Sequence, residues 1–156
     1  MTEATFRKDL QKGMQAQGAY VLKLPDLARA VVKPFDLLVA HAGCFYPMEL
    51  KLRKVERAKP LHNEDVAISQ KVFRPHQLPT LLEIHQKLWG FPYVGACLVR
   101  VQDGRVQEKQ AWLIPISLFL LQEEWNVASL NWICSTSNLQ WKPGVGWLVS
   151  WLGKIR

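Results

Sequence analysis

Helical and strand patterns alternate along this chain and predict an α/β fold. Two segments repeat apolar side chains at the helical period: residues 4–17, through Phe6, Leu10 and Met14, and residues 78–89, through Leu78, Leu81, Leu82, His85, Leu88 and Trp89. Around them stand short runs that read as strands: Tyr20–Leu24, Phe35–Ala40, Cys44–Leu52, Tyr93–Val101 and Val106–Ile114. The punctuation fits. Gly43 supplies a tight turn between two of the runs, and Asp103-Gly104 is a type I′ signal between two others.

The chain has 156 residues, enough for one domain with a real core, and its 49% hydrophobic and 21% charged content is that of a globular protein. Formal net charge is +7, and residues 1–60 carry 11 Lys/Arg against 6 Asp/Glu. That bias suits a polyanionic partner or an anionic membrane surface, and charge alone does not choose. Cys44, Cys97 and Cys134 form no C-x-x-C pair, so neither a zinc site nor a disulfide scaffold is indicated, and a reducing cytoplasmic location is expected. The N-terminal stretch has no apolar signal core, and no apolar run reaches the ~20 residues of a membrane-spanning helix. No P-loop or dinucleotide fingerprint is present, so no nucleotide cofactor is expected.

In chain order, the first helix should stop at Gly18, with Gly13 weakening its interior. Pro25 ends the strand that follows, and Asp26–Val32 is read as one helical turn capped by Asp26. Pro34 biases Lys33 toward extended backbone, which leads into the next strand. Residues 60–76 show weak periodicity and read mainly as loop. Pro79 requires the second helix to begin near Leu78. Ser117 is a candidate cap for a helix over Ile116 to Glu123 or Glu124, while Asn131–Thr136 and Val145–Leu152 read as short strands. The last 32 residues hold five of the seven tryptophans: Trp125, Trp132, Trp141, Trp147 and Trp151. They either finish the core, form a subunit interface or stack on bases, and the second of these is expected for some of them.

The chemistry concentrates between Lys33 and Lys54. If the hairpin is centred between Ala42 and Gly43, facing residues sum to 85 and Asp36 lies opposite Glu49. Directly opposed Cβ atoms are roughly 4.5–5.5 Å apart. Glu49 and Lys51 share one face of their strand, while Met48, Leu50 and Leu52 point the other way. Two carboxylates that close stay ionised only around a cation, and hard oxygen donors favour Mg²⁺, with Mn²⁺ as substitute. Taken alone, the short D…E-x-K pattern also fits a solvated hairpin with an ordinary Glu/Lys pair.

The wider order of elements resembles the PD-(D/E)xK nuclease superfamily, and within it the Holliday-junction resolvases of the bacterial RecU type and their archaeal relatives. The resemblance runs over roughly residues 4 to 115: helix 4–17, strand Tyr20–Leu24, Asp36, Glu49-Leu50-Lys51, His76-Gln77 and strand Tyr93–Val101. It implies a restriction-endonuclease-like fold, a central mixed β-sheet flanked by helices, in a single domain with 116–156 as a tryptophan-rich extension in a dimer interface. It implies a homodimer that cuts branched double-stranded DNA at four-way junctions with Mg²⁺, or else a nuclease of the same fold that acts on another DNA, such as nicked, flapped or foreign duplex. Asp36, Glu49, Lys51 and Gln77 would be catalytic, with Asp36 and Glu49 as metal ligands. Lys33, Arg53, Lys54, Arg57, Lys59, Lys71, Arg74 and His76 would meet the phosphates. In one respect the chain departs from the pattern. Where the first helix of such nucleases carries a Glu, this chain has Arg7, with Glu3 and Asp9 as the nearest acids. Either Asp9 substitutes as a metal ligand, or the site works with fewer ligands, or the protein binds DNA without cutting it.

Overall fold

The computed structural model describes residues 1–25, 33–87, 89–133, 138–142 and 146–149. The expected helical turn at Asp26–Val32, residues 134–136 of the expected strand Asn131–Thr136, and Trp151 lie outside that set.

Helix α1 (Glu3–Ala16) begins where the Thr2 side chain accepts a hydrogen bond from the Thr5 N–H at 3.2 Å. Phe6, Leu10 and Met14 recur along one side and are fully buried. Strand β1 (Tyr20–Lys23) pairs with β2 (Leu37–His41), which turns back as β3 (Cys44–Glu56). The turn is two residues long, and both Ala42 (φ 51°) and Gly43 (φ 79°) have the positive φ that a type I′ turn requires. Partners across it, from His41↔Cys44 to Leu37↔Met48, follow the register expected from the sequence.

Beyond β3 the chain crosses over through β4 (Val66–Ser69), a single 3-10 turn (Gln70–Val72) and helix α2 (Gln77–Gln86). It then enters β5 (Tyr93–Gln102), which lies parallel to β3. A second hairpin, with Asp103 and Gly104 both at positive φ, leads to β6 (Arg105–Pro115). A short helix α3 (Ile116–Phe119), strand β7 (Glu124–Asn126), helix α4 (Val127–Ile133) and the pair β8 (Asn138–Lys142) and β9 (Gly146–Val149) follow.

The main sheet has the order β1-β2-β3-β5-β6-β8-β9, parallel between β3 and β5 and antiparallel elsewhere, while β4 and β7 form a separate two-stranded sheet. This is an α/β fold with a central mixed sheet flanked by helices. Both faces of the sheet are buried, which explains why β5 reads as a continuous apolar run. One face packs Met48, Leu50, Cys97, Val99 and Leu113 on α1. The other packs Val94, Ala96, Leu98, Trp112 and Ile114 beneath α2, α3, α4 and the small sheet.

Two expectations for the last third are corrected. The helix after Pro115 ends at Phe119, with Pro115 and not Ser117 in the cap position, because Leu121 and Gln122 must lead into β7. Asn131–Ile133 are the end of a helix, not a strand. Its start is fixed by a reciprocal pair, Ser129 N–H to Asn126 Oδ1 at 2.8 Å and Asn126 N–H to Ser129 Oγ at 3.0 Å. The tryptophans are spread between core and surface. Trp125 and Trp147 are buried in the two cores, whereas Trp132 is 80% exposed.

Candidate functional site

β2 stops at Leu37, while β3 runs on to Glu56, so the two strands part company just past Met48. Asp36 stands at the point of separation. Its backbone N–H still bonds the Met48 carbonyl at 2.9 Å, and its side chain then takes over from the backbone: Oδ2 accepts the Leu50 N–H at 2.8 Å. Asp36 is thereby held beside Glu49, and the two carboxyl groups lie within hydrogen-bonding reach of each other. Lys33 pairs with the other Asp36 oxygen at 3.0 Å.

Glu49 is only 3% exposed and is the one buried charged residue among the described residues. Its Oε1 accepts a hydrogen bond from Gln77 Nε2 at 2.7 Å, and Gln77 is held in turn by the Arg74 N–H, which its Oε1 accepts at 2.8 Å. Burial, and after it the nearby Asp36, push the Glu49 carboxyl up to about 8; Lys51 and Lys33 oppose that rise. Lys51 lies on the same strand face two residues on, with its Nζ 5.4 Å from the centre of the Phe73 ring. Asp36, Glu49, Lys51 and Gln77 are therefore brought together as the sequence leads one to expect.

A cleft of about 410 Å³ follows the edge of β3 that β2 leaves uncovered. One wall is Glu3, at the start of α1, and the other is Ala67, Ile68, Ser69 and Val72; Lys51, Leu52, Arg53 and Lys54 line it from β3. The acid that α1 brings to this cleft is Glu3. The expectation for Asp9 is corrected: its backbone carbonyl abuts Gly146 of β9, and its carboxylate acts on Cys97, in the core beneath the opposite face of the sheet. Asp9 precedes the buried Leu10 on the flank of α1 that faces β9, which carries it away from Asp36 and Glu49.

The expected phosphate contacts are scattered. Arg53 and Lys54 line the cleft, Lys33 sits on Asp36, and Arg74 is exposed next to Gln77. His76 begins α2, and its carbonyl accepts the Thr80 hydroxyl at 2.6 Å. Arg57 is otherwise engaged, tying down the loop after β3 through Asp65 and the carbonyls of Lys59 and Pro60. Lys59 is exposed in that loop, and Lys71 pairs with Glu123 at 3.3 Å on the surface.

Among the described residues no group of three or more His, Cys, Asp or Glu side chains comes together. The donor set is two carboxylates. That fits Mg²⁺, which keeps several waters and takes one or two protein carboxylates beside a substrate phosphate. The arrangement of Asp36 and Glu49 supports the fit: burial and the neighbouring acid favour the protonated form of Glu49, and a divalent ion between the two carboxylates would reverse that preference.

No family model matches the chain, and no curated protein matches it. Among solved structures, the Holliday junction resolvase Hjc of Archaeoglobus fulgidus superposes with a TM-score of 0.42 at 14% sequence identity, over 80% of this chain and 96% of that one. A similarity at that level assigns no residue a role.

Proposed function

We propose that the chain is a metal-dependent endonuclease that hydrolyses phosphodiester bonds in branched DNA, with the four-way junction as its preferred substrate. The observation that carries the reading is the juxtaposition of Asp36 and Glu49 at the parting of β2 and β3, with Lys51 on the same strand face and a cation-rimmed cleft alongside. A hairpin gathers such groups in a half-buried spot at a cost, and a hydrolytic site explains why. The junction preference is an extension drawn from the order of motifs in the sequence.

Asp36 and Glu49 are the residues that would hold Mg²⁺ or Mn²⁺. Such an ion lowers the pKa of a water and clamps a phosphoryl oxygen. The chain's own groups do the rest. The Leu50 N–H and Gln77 fix the two carboxylates in place before substrate arrives, so little reorganisation is needed. The Lys51 ammonium offsets negative charge that builds on the phosphoryl oxygens as the water oxygen bonds to phosphorus and the bond to the departing sugar oxygen breaks. Lys33, Arg53 and Lys54 hold neighbouring phosphates without reading bases. A two-fold dimer would set two such sites at a fixed separation, and the exposed Trp132 is our candidate for part of its contact.

That no third acid joins the carboxylate pair among the described residues favours one other reading, a DNA-binding protein that has kept the fold and lost the reaction. One experiment separates them: incubation of an end-labelled four-way junction, and of a linear duplex with the same arms, with Mg²⁺, Mn²⁺ or EDTA. Paired nicks in the junction that require the metal support the endonuclease. Junction binding with no cut under any condition selects the binding protein.

A further inference from the structure

The cleft beside the carboxylates has more structure than a phosphate track needs. Leu50 directs its N–H toward β2, where Asp36 meets it. By the two-residue period of a strand, the N–H and C=O groups of Leu52 and Lys54 point the same way. β2 has ended there, so these backbone groups face the cleft, and no strand among the described residues pairs with them. Leu52, partly buried on the α1 face of β3, and Val72, half exposed on the opposite wall, flank the cleft, while Ala67 and Ile68 reach it from the core. By the same period Lys51 and Arg53 line one margin and Lys54 the other, against the carboxylate of Glu3. At about 410 Å³ the space falls in the lower part of the roughly 300–1,000 Å³ range of small-molecule pockets, room for one base and its sugar but not for a stacked base pair.

We infer that this cleft receives a single unstacked nucleotide next to the phosphodiester to be cut, its base across the open strand edge between Leu52 and Val72 and its phosphate toward Lys51. The inference rests on the endonuclease reading and adds a source of selectivity to it. A base enters only if it can leave its stack, which is easy at a branch point or single-stranded gap and costs a few kcal/mol inside a continuous duplex. Selectivity for branched DNA then follows from the cleft and needs no base code. An open strand edge also invites a peptide, but the excess of positive charge and the continuity with the carboxylate pair through Lys51 favour the nucleotide.

The test uses the full chain, labelled with ¹⁵N and kept in EDTA so that nothing is cut. Amide spectra are followed during separate titrations with thymidine 5′-monophosphate, inorganic phosphate and a blocked tetravaline peptide, and binding to a four-way junction is measured by gel shift in the same buffer. The expected result is saturable movement of the Leu52, Lys54, Ile68 and Ser69 amides with the nucleotide, with phosphate moving only the β3 side. In Val72→Glu the nucleotide affinity should fall at least tenfold. Val72 is half exposed, so this change leaves both cores intact; if the variant fails to fold, the wild-type titrations decide alone. The same movements produced by phosphate or by the peptide overturn the inference. So does a silent nucleotide titration with junction binding intact, which leaves the endonuclease reading standing. Loss of both nucleotide and junction binding overturns both.

Discussion

Among the places where the main sheet runs short of strand partners, β9 and the far half of β3 are treated in opposite ways. At β9 the edge is sealed. Gln17, just past α1, turns its side-chain amide onto Val149, donating to the carbonyl at 2.9 Å and accepting from the N–H at 2.8 Å, as a neighbouring strand would. α1 lies so close on β9 that a Cβ at Gly13 would stand 1.6 Å from the Trp147 carbonyl oxygen. At β3 the edge is left open and is lined with charge: Asp36, Glu49, Lys51, Arg53 and Lys54. An edge that serves only stability is covered. On the proposed reading, an edge without a strand partner beside two crowded carboxylates serves a ligand.

The largest effect should come from the open edge. Glu49→Gln or Asp36→Asn removes one of two carboxylates, and metal-dependent cleavage of a junction should drop on the order of 10³-fold or more, while gel-shift affinity in EDTA stays near wild type. Turnover that survives either change would remove the distinction between the two edges.

The sealed edge answers to packing. Gly13→Ala would normally strengthen a helix by up to about 1 kcal/mol. Here it should destabilise by about 2–4 kcal/mol in urea unfolding, because α1 and β9 must separate to admit a methyl group. A stabilised variant would mean that the close approach is not what holds β9.

Stability against pH sharpens the contrast. Folded Glu49 keeps its proton up to about pH 8, whereas the unfolded chain releases it near the ordinary value of 4.5. The native state therefore binds more protons across that window. The stabilisation is complete below about 4.5 and is lost as pH rises toward 8, by at most ~1.4 kcal/mol per pH unit. Urea unfolding of metal-free protein between pH 5 and 8 should show this slope, and Glu49→Gln should flatten it. Gln17→Ala should cost less, about 1–3 kcal/mol, by leaving Val149 without partners, with faster amide exchange at Val149 as the signature. Smallest of all is Lys71→Ala. Its pair with Glu123 is solvent-exposed on both sides, and the change should stay within ~0.5 kcal/mol and leave junction binding untouched.

What the sequence made legible was whatever rests on local rules. The Ala42-Gly43 turn fixes the register of β2 on β3, and register alone brings Asp36 opposite Glu49. The second helix, read over residues 78–89 and found at Gln77–Gln86, followed from Pro79 and the apolar period, whereas the closeness of Gln77 to Glu49 was implied only by the resemblance. Long-range choices were hidden. β4 and β7 are four and three residues long and are strands only because they find each other across more than fifty residues. Gly13 reads as a weak point of a helix until β9 is seen lying against it. For α4 a signal was present, Asn126 and Ser129 spaced as reciprocal caps, but the apolar run after it also suits a strand. Asp9 and Glu3 are one and a half turns apart on α1. Which of them reaches the cleft depends on how the helix rolls over the sheet, and burial of Phe6, Leu10 and Met14 turns Asp9 toward β9.

The most direct test of the open edge is a calorimetric titration of metal-free protein with Mn²⁺ at pH 7, run in buffers of different ionisation enthalpy to count protons. One Mn²⁺ per chain, bound with release of up to one proton and lost in Glu49→Gln, is the predicted result: the ion takes the place of the proton that Glu49 now holds. No saturable binding, or binding unchanged in Glu49→Gln, would contradict the assignment of Asp36 and Glu49 as a metal site.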